Sequence, residues 1–369
     1  MTTTAGPLPS RIDSPNGEQP APDASGVHRC ALAAGTVTVQ VLESGAPDPN
    51  PLRIDDLCSF AARNNPRRGF LVVSKVLGRH LPTTPAAIRD SARRLIDALL
   101  RRHSAAGISD LPGPVVFFGM AETAVCLAHS CYADYAARTG RQDLLFIHST
   151  RQWPSATGQA IIAEFAEPHS HAAAHMVLSP VTAAGRTLLA QARTLVVIDD
   201  ESSTGTTFVN AIAALRPCMP RLERVATAVL TDWSGGHDWQ QQLPLPHIGA
   251  SLLQGTLHWT PDPGFVSPAN PITRTGAFGT LAATGNHGRG GIHPGDDPLL
   301  DSGRFTAAAR AIIAARDRPH YVVLGTGEFT YPALLIAEQL AALGRDVHIQ
   351  AITRSPIHIG GAITSKLEL

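Results

Sequence analysis

The sequence predicts an α/β fold built on a doubly wound parallel sheet. Four short apolar runs, each suited to one buried strand, alternate with segments that favour helix: VVFF (115–118), LLFI (144–147), LVVI (195–198) and VATAVL (225–230). Strands that are apolar throughout indicate a sheet covered by helices on both faces. A chain of 369 residues, 44% of them hydrophobic, can bury a sizeable core and is long enough for two domains.

The N-terminal part supplies a strand and a capped helix. GTVTVQVLES (35–44) alternates like a strand, and RGFLVVSKVLGRHLPTTP (68–85) combines a β-branched run with a basic turn. Thr84 precedes Pro85 in the arrangement typical of a helix start, with an N-cap followed by proline in the first turn. The apolar residues that follow recur at helical spacing: Ile88, Ala92, Leu95 and Leu99.

Further helices are predicted near 122–138, near 181–192 and directly after LVVI, with a long polar segment over 150–178. A smaller βαβ-like unit closes the chain. Its parts are YVVLGTGEF (321–329), a helix over 330–343 ended by Gly344, and DVHIQAI (346–352). Because parallel neighbours end at the same edge of a sheet, we expect Glu328 and Arg354 to face one ligand. The alternative is a tight turn into a helix that Pro332 begins.

Composition divides the chain into four parts. Residues 1–27 contain five prolines, no aromatic residue and no apolar block of a signal peptide, so we expect a disordered tail. Residues 28–245 hold the parallel-sheet domain. Residues 246–303 are rich in proline and glycine but include tryptophan, which predicts a packed connector, with a strand as one interpretation of SLLQGTLHW (251–259). Residues 304–369 form the small C-terminal α/β unit.

Charge and cysteine content limit the class of protein. Lys+Arg and Asp+Glu both count 30, so no basic field favours a nucleic-acid partner. No apolar run reaches the ~18 residues of a membrane span, so no membrane partner is expected. The five cysteines are odd in number and form no CxxC pair, which is typical of reduced thiols in a cytoplasmic protein.

The stretch LVVIDDESSTGTTF (195–208) ends an apolar run in two carboxylates and a turn of small residues. Asp199 and Asp200 come at the carboxyl end of a predicted strand, where open α/β sheets bind ligands. The turn SSTGTT (202–207) opens a helix, and Gly205 allows close approach to its free N–H groups, which suits a phosphate. Two carboxylates nearby suit ribose hydroxyls or hydrated Mg²⁺. The pattern therefore predicts a ribose 5-phosphate site.

These residues resemble the signature with which type I phosphoribosyltransferases bind phosphoribosyl diphosphate (PRPP), with Ser203 where threonine is commoner. VVFFGMAETAVCLA (115–128) is similar to the diphosphate loop of that family. Three further segments resemble the orotate-phosphoribosyltransferase-like subgroup with a C-terminal TRSP domain, often encoded near tellurium-resistance-type stress genes. They are NPRRGFLVVSKVLGRHLP (65–82), EFAEPHSHAAAH (164–175) and TRSP (353–356).

The resemblance covers about residues 30–369 and implies the type I phosphoribosyltransferase fold with a flexible flap. It makes 28–245 the phosphoribosyltransferase domain and 304–369 a TRSP-type domain. That domain usually continues past its motif, whereas this chain stops at Leu369, so we expect its site to be truncated. A homodimer is also expected.

The resemblance implies specific site residues. The expected PRPP contacts are Lys75, Gly119, Met120, Ala121, Glu122, Thr123, Asp199, Asp200, Ser203, Thr204, Gly205, Thr206 and Thr207. Exposed N–H groups from Met120 to Thr123 are expected to hold the leaving diphosphate. Catalytic roles are expected for Asp199, Asp200, Arg151 and His171. Mg²⁺ is expected to arrive with PRPP and to contact the acidic pair. The alternative interpretation of Lys75 is a solvated side chain at a strand end. The alternative interpretation of Glu122 is a charge that stabilises a helix N-terminus.

The polar segment has two interpretations. It contains three histidines in an HxHxxxH pattern: His169, His171 and His175. Histidines so spaced suit Zn²⁺, but no cysteine or acidic ligand completes a recognised zinc spacing. We therefore favour a mobile flap over 151–178 that closes on PRPP. Arg151 would contact the diphosphate and Glu167 would orient a histidine, unless both are solvated loop charges.

The main functional hypothesis is a Mg²⁺-dependent enzyme that transfers ribose 5-phosphate from PRPP to a base-like nitrogen nucleophile and releases diphosphate. The alternative from another class is a regulator that binds PRPP or a nucleotide without catalysis and signals through the TRSP unit. A third interpretation runs the reaction backwards, cleaving a nucleotide-like metabolite. The sequence leaves the acceptor open, because the base-contacting hood is the most variable part of this fold.

Overall fold

A seven-stranded sheet forms the centre of the protein in the computed structural model. The structure describes residues 26–42, 51–63, 68–152, 159–166, 174–235, 237–265, 288–297, 299, 302–353 and 357–367. Within them the strands are β1 Val27–Leu32, β2 Gly35–Leu42, β3 Cys58–Arg63, β4 Phe70–Ser74, β5 Val115–Gly119, β6 Leu144–His148, β7 Ile161–Phe165, β8 His175–Leu178, β9 Thr194–Ser202, β10 Arg224–Asp232, β11 His247–Pro261, β12 His320–Thr326, β13 Asp346–Ile352 and β14 Ile357–Gly361. The helices are α1 Ile54–Leu57, α2 Pro85–Ala105, α3 Val125–Thr139, α4 Ala183–Gln191, α5 Thr206–Leu215, α6 Ser302–Ala315 and α7 Tyr331–Ala342.

The four apolar runs form four parallel strands of this sheet, β5, β6, β9 and β10, as predicted, and β11 adds a fifth. The strand order is β1-β2-β11-β10-β9-β5-β6. Neighbours from β6 to β11 are parallel, and β2 and β1 extend the sheet in the antiparallel sense. The mostly parallel α/β architecture predicted from the sequence is confirmed.

Helices cover both faces of the sheet, which makes it doubly wound. Alternate residues of β5 enter opposite cores. Val115 and Phe117 pack in the layer that contains residues of α2, α3 and α7. Val116 and Phe118 pack in the layer that contains residues of α4 and α5. Since side chains on one strand alternate between faces, apolar residues at every position are what a sheet with two covered faces requires.

Helix α2 begins where the sequence predicts. Its N-cap Thr84 accepts a hydrogen bond at Oγ1 from the Ala87 N–H at 3.3 Å, and Pro85 occupies the first turn. Such a cap typically contributes about 1 kcal/mol. The four apolar residues predicted at helical spacing are all buried.

Both described ends of the predicted connector lie along the central sheet. β11 pairs with β10 on one side and with β2 on the other, so the sheet extends past the predicted boundary at residue 245. At the opposite edge, Ile292 and Phe146 exchange two backbone hydrogen bonds of 2.8 Å. The connector is therefore packed against the sheet at these two places, and residues 266–287 lie outside the described part.

Part of the predicted polar flap is a packed hairpin. β7 and β8 pair antiparallel, and Ala163, Phe165 and Val177 enter the same core as Phe118. The sequence hides this hairpin because its apolar residues are interrupted by glutamate and histidine. Residues 167–173 lie outside the described residues, with Glu167, His169 and His171 among them, so the flap interpretation there stays a prediction.

The C-terminal unit has the predicted strand–helix–strand order. β12 and β13 are parallel, α7 lies between them in the chain, and Gly344 follows the helix with φ +80°. The chain then returns to the N-terminal region. β14 pairs antiparallel with β3, which pairs with β4, so the three strands form a second small sheet.

Candidate functional site

A cleft of about 170 Å³ opens at the carboxyl ends of β5 and β9. Its lining contains most of the residues predicted as a site: Met120, Ala121, Glu122, Thr123, Arg151, Asp199, Asp200, Ser203, Thr204, Gly205 and Thr207. Three predicted residues are not part of this lining: Lys75, Gly119 and Thr206. His171 and Arg354 lie outside the described residues. Two segments more than 70 residues apart in sequence thus meet at one sheet edge.

The acidic pair lies within the strand rather than after it. The sequence suggests that the strand ends at Ile198, but β9 continues to Ser202 and pairs with β10 as far as Asp232. Asp199 and Asp200 are half-buried and line the cleft, and the Asp200 N–H donates to Asp199 Oδ1 at 2.9 Å. Pairing with β10 at Asp199 and again at Glu201 and Ser202 holds the backbone of the acidic pair in place.

Gly205 opens α5 in the left-handed conformation, with φ +71°. A Cβ at this position would lie 2.1 Å from Trp239 Cγ, so the indole covers the glycine closely. The N–H groups in the first turn of a helix have no intrahelical partners. Thr207 belongs to this turn and lines the cleft. The Thr206 hydroxyl faces Thr204 Oγ1 at 3.0 Å instead. The turn therefore offers backbone donors and a positive dipole end.

The loop after β5 offers fewer free N–H groups than the sequence suggests. The Met120 N–H donates to the Ile198 carbonyl at 3.0 Å, and the Ala121 N–H donates to Ser149 Oγ at 2.9 Å. The next peptide bond, between Ala121 and Glu122, is cis. The expectation of four exposed N–H groups is thus wrong for Met120 and Ala121. The N–H groups of Glu122 and Thr123 have no hydrogen-bond partner among the described residues.

The Glu122 carboxylate forms an ion pair across the cleft wall. Arg79 Nη2 lies 2.6 Å from Glu122 Oε2, and both side chains are largely buried. Arg79 Nη1 also donates to the Gly327 carbonyl at 3.1 Å, in the loop after β12. A guanidinium that reaches both groups connects the C-terminal unit to the loop after β5.

Arg151 and His175 form a buried pair at the same end of the cleft. Arg151 Nη2 lies 3.0 Å from His175 Nε2 and its Nε lies 3.4 Å from the Ala121 carbonyl. Because a guanidinium can only donate, Nε2 accepts and Nδ1 carries the ring proton. Nδ1 then donates to Ser149 Oγ at 2.9 Å. The histidine is therefore neutral and orients the arginine.

A further wall of the cleft consists of residues for which the sequence predicts no individual roles. We call it the hood wall, and it consists of Arg63, Arg68, Leu71, Val72 and His80. Arg68 Nη2 spans to Glu201 Oε1 at 3.0 Å. Burial and the charges of Arg79 and Arg63 lower the pKa of His80 to about 3, so its ring is neutral at pH 7. The only sequence signal for this wall is the basic character of 65–82.

Lys75 lies away from the cleft lining. Its ammonium group donates to the Asp55 carbonyl at 2.9 Å, and its N–H donates to the Leu57 carbonyl. The predicted PRPP contact at Lys75 is therefore not part of this cleft.

Glu328 reaches the cleft wall from the C-terminal unit. It is 2% exposed and accepts hydrogen bonds from Thr150 Oγ1 at 2.8 and 2.9 Å and from the Arg151 N–H at 2.8 Å. Burial raises its pKa to about 7, although these donors and the charge of Arg289 act in the opposite direction. The expected partner Arg354 lies outside the described residues.

The raised pKa of Glu328 predicts pH-dependent stability. Its ordinary value is 4.5, so between about pH 4.5 and 7 the folded state binds more protons than the unfolded state. The free energy of unfolding should then decrease as pH rises, by on the order of 3 kcal/mol at about 1.36 kcal/mol per pKa unit. Urea unfolding of wild type and Glu328→Gln across this window should show that the variant becomes more stable relative to wild type as the pH rises. A difference that stays constant with pH would contradict the raised pKa.

Among the described residues, no group of three or more His, Cys, Asp or Glu side chains is arranged to hold a metal ion. None of the described helices combines the length and apolarity needed to cross a bilayer.

Comparison with known proteins assigns the class that this sheet and cleft suggest. A family model described as phosphoribosyl transferase matches residues 57–256. The chain belongs to the phosphoribosyl transferase family and is a phosphoribosyltransferase enzyme. A second model, for the TRSP domain C-terminal to such a transferase, matches residues 286–368. The family and the C-terminal domain predicted from the sequence are confirmed.

Several solved structures are similar to part of the chain. Adenine phosphoribosyl transferase from Trypanosoma brucei, in complex with AMP, pyrophosphate and ribose-5-phosphate, is 13% identical, with TM-score 0.34, and the match covers 58% of this chain and 86% of that one. Adenine phosphoribosyltransferase from Saccharomyces cerevisiae is 13% identical, with TM-score 0.33, and the match covers 52% of this chain and 93% of that one. Orotate phosphoribosyltransferase from Aeropyrum pernix is 16% identical, with TM-score 0.29, and the match covers 52% of this chain and 84% of that one. No curated protein matches the chain.

Proposed function

We propose that this enzyme transfers the 5-phosphoribosyl group from PRPP to a nitrogen of a base-like acceptor and releases diphosphate, with Mg²⁺. The observation that carries the proposal is the composition of one cleft. A helix N-terminus with a small-residue turn, two adjacent carboxylates and a second loop with free N–H groups line the same space. These are the donors and acceptors that a phosphate, a ribose and a diphosphate need.

The 5-phosphate would bind at the start of α5. Ser203 and Thr204 would supply hydroxyls. The N–H groups of the first turn, that of Thr207 among them, lie at the positive end of the helix dipole. Helix N-termini bind phosphate by this combination of donors and dipole. Asp199 and Asp200 would accept hydrogen bonds from the ribose hydroxyls, and Asp200 would also take a proton from the attacking nitrogen.

The diphosphate would bind between the loop after β5 and Arg151. The anomeric carbon becomes oxocarbenium-like as the bond to diphosphate breaks, so negative charge grows on the leaving group. The N–H groups of Glu122 and Thr123 and the guanidinium of Arg151 would stabilise that charge. Their fixed positions, held by Ser149 and His175, mean that little reorganisation accompanies the reaction.

Mg²⁺ fits the donors present in the cleft. Carboxylate oxygens of Asp199 and Asp200 are hard ligands of the kind this ion prefers, and it commonly binds through one or two carboxylates together with substrate phosphates. When bound with PRPP, the ion would neutralise charge on the leaving diphosphate.

The acceptor would lie against the hood wall. Leu71 and Val72 give this wall apolar surface for the face of a flat ring. The neutral ring of His80 can donate one hydrogen bond and accept another, which suits the mixed polar edge of a heterocycle. A homodimer remains our prediction for the assembly.

A thermal shift experiment tests the proposal. PRPP with Mg²⁺ should raise the melting temperature, because a ligand at 100 times its Kd adds about 2.7 kcal/mol to the free energy of unfolding. Ribose 5-phosphate should give a smaller shift, and glucose 6-phosphate serves as the control for nonspecific phosphate binding. The absence of any shift at millimolar PRPP with Mg²⁺ would refute the proposed function.

A further inference from the structure

The loop after β12 contacts both sides of the proposed diphosphate site. The carbonyl of Gly327 accepts from Arg79, whose other Nη atom pairs with Glu122 of the cleft lining. The adjacent Glu328 accepts from the Arg151 N–H. One short loop of the C-terminal unit therefore reaches the loop after β5 through Arg79 and the segment after β6 directly.

The contact of Glu328 is directed at the backbone that carries Arg151. Its two carboxylate oxygens accept from the Thr150 hydroxyl at 2.8 and 2.9 Å and from the Arg151 N–H at 2.8 Å. Thr150 is fully buried and Glu328 is 2% exposed. Two donors, the Thr150 hydroxyl shared between both oxygens and the Arg151 N–H, fix the geometry of this pair of residues in a buried environment.

Stability alone is a poor explanation for this carboxylate. Burying a carboxylate costs several kcal/mol before partners repay it, and apolar replacements of buried charges are often neutral or stabilising. Arg289 supplies a nearby positive charge that favours the carboxylate, although burial outweighs it and raises the pKa of Glu328, and the Arg289 guanidinium packs over the Phe329 ring at 5.3 Å. What the arrangement achieves in addition is a fixed direction for Arg151, whose guanidinium lies against His175 and lines the cleft.

We propose that Glu328 is a positioning residue through which the C-terminal unit holds Arg151 at the diphosphate end of the cleft. The inference rests on the proposed function. It makes the C-terminal unit a part of the active site, because a residue of that unit binds the backbone N–H of the arginine that would meet the leaving group.

Binding measurements on three variants test the inference. Glu328→Ala removes the acceptors, and Glu328→Gln keeps an acceptor for the Arg151 N–H. The control is Glu338→Gln, which breaks a different contact between the same unit and α2, the pair of Arg89 and Glu338 at 2.6 Å. Calorimetry would measure the Kd of each protein for magnesium diphosphate and for ribose 5-phosphate.

The two ligands separate positioning from general loosening. Glu328→Ala should weaken magnesium diphosphate by about tenfold or more, the loss of roughly one well-made hydrogen bond. Ribose 5-phosphate, which would bind at α5, should change less than about twofold. Glu328→Gln should lie between Glu328→Ala and wild type for diphosphate, and Glu338→Gln should match wild type for both ligands.

Every other result overturns the inference. Equal weakening of both ligands would mean that Glu328 only supports the interface, and unchanged diphosphate binding would mean that Arg151 is positioned without it. If Glu328→Ala fails to fold, the diphosphate Kd of Glu328→Gln decides, and a value equal to wild type counts against the proposal. A wild-type protein that binds neither ligand would instead refute the proposed function, and the inference with it.

Discussion

Replacing Asp199 and Asp200 together by asparagine should slow phosphoribosyl transfer by about 10²- to 10⁴-fold while the free protein stays folded. Each carboxylate hydrogen bond to a sugar hydroxyl contributes roughly 1.5–3 kcal/mol, and each 1.36 kcal/mol is about tenfold in rate. The amide keeps the volume of the carboxylate but removes the charge. Both residues are half-buried at a cleft, so the core does not depend on their charge.

Diphosphate release and apo melting, measured on the same double variant, test this expectation. PRPP with a metabolite extract supplies the acceptor. Asp232→Asn is the matched control, because this carboxylate ends the neighbouring strand β10 but is not in the cleft lining. A structural role for the pair would give a lowered melting temperature with active surviving protein. Activity within tenfold of wild type would show that the acidic pair is not the ribose site.

Gly205→Ala should lower the free energy of unfolding by about 2–5 kcal/mol. A φ of +71° costs a non-glycine residue roughly 1–2 kcal/mol. The new Cβ would also lie 2.1–2.5 Å from three ring atoms of Trp239, and such overpacking typically costs about 1–3 kcal/mol. Because the turn must move to relieve the overlap, PRPP binding should weaken as well.

Gly140→Ala separates the two costs in Gly205→Ala. Gly140 ends α3 with φ +64°, and a Cβ there would meet nothing within 4 Å. Chemical denaturation should therefore show a loss of roughly 1 kcal/mol for this control, from the backbone conformation alone. Equal losses at both positions would mean that Trp239 moves aside freely.

The central strands are predictable from sequence because both of their faces are buried. In β9 a single polar residue, Thr194, is followed by four apolar residues before Asp199, so its apolar run is visible without any knowledge of its neighbours. β11 differs, since most of its residues are only half-buried or exposed and its glycine, histidine and threonine residues resemble a connector. Its place in the sheet follows from pairing with β10 and β2, which is a tertiary fact.

The candidate site is predictable where it is continuous in sequence. The acidic pair and the turn to Thr207 lie within nine residues, so their chemistry can be read together. The hood wall is not continuous, and no local pattern indicates that His80 faces the cleft. Likewise the N–H groups of Met120 and Ala121 are occupied by Ile198 and Ser149, partners that no spacing rule identifies.

The pairing of β14 with β3 has a consequence for how the protein folds. Ile357 lies opposite Arg63, so two strands that are far apart in sequence are adjacent in the small sheet. Such nonlocal pairing forms late and slows folding. During synthesis the ribosome must release the chain as far as β14 before this sheet can close, and until then β3 presents an open edge that invites aggregation. The two matched family regions are therefore better regarded as one cooperative folding unit than as modules to be expressed separately.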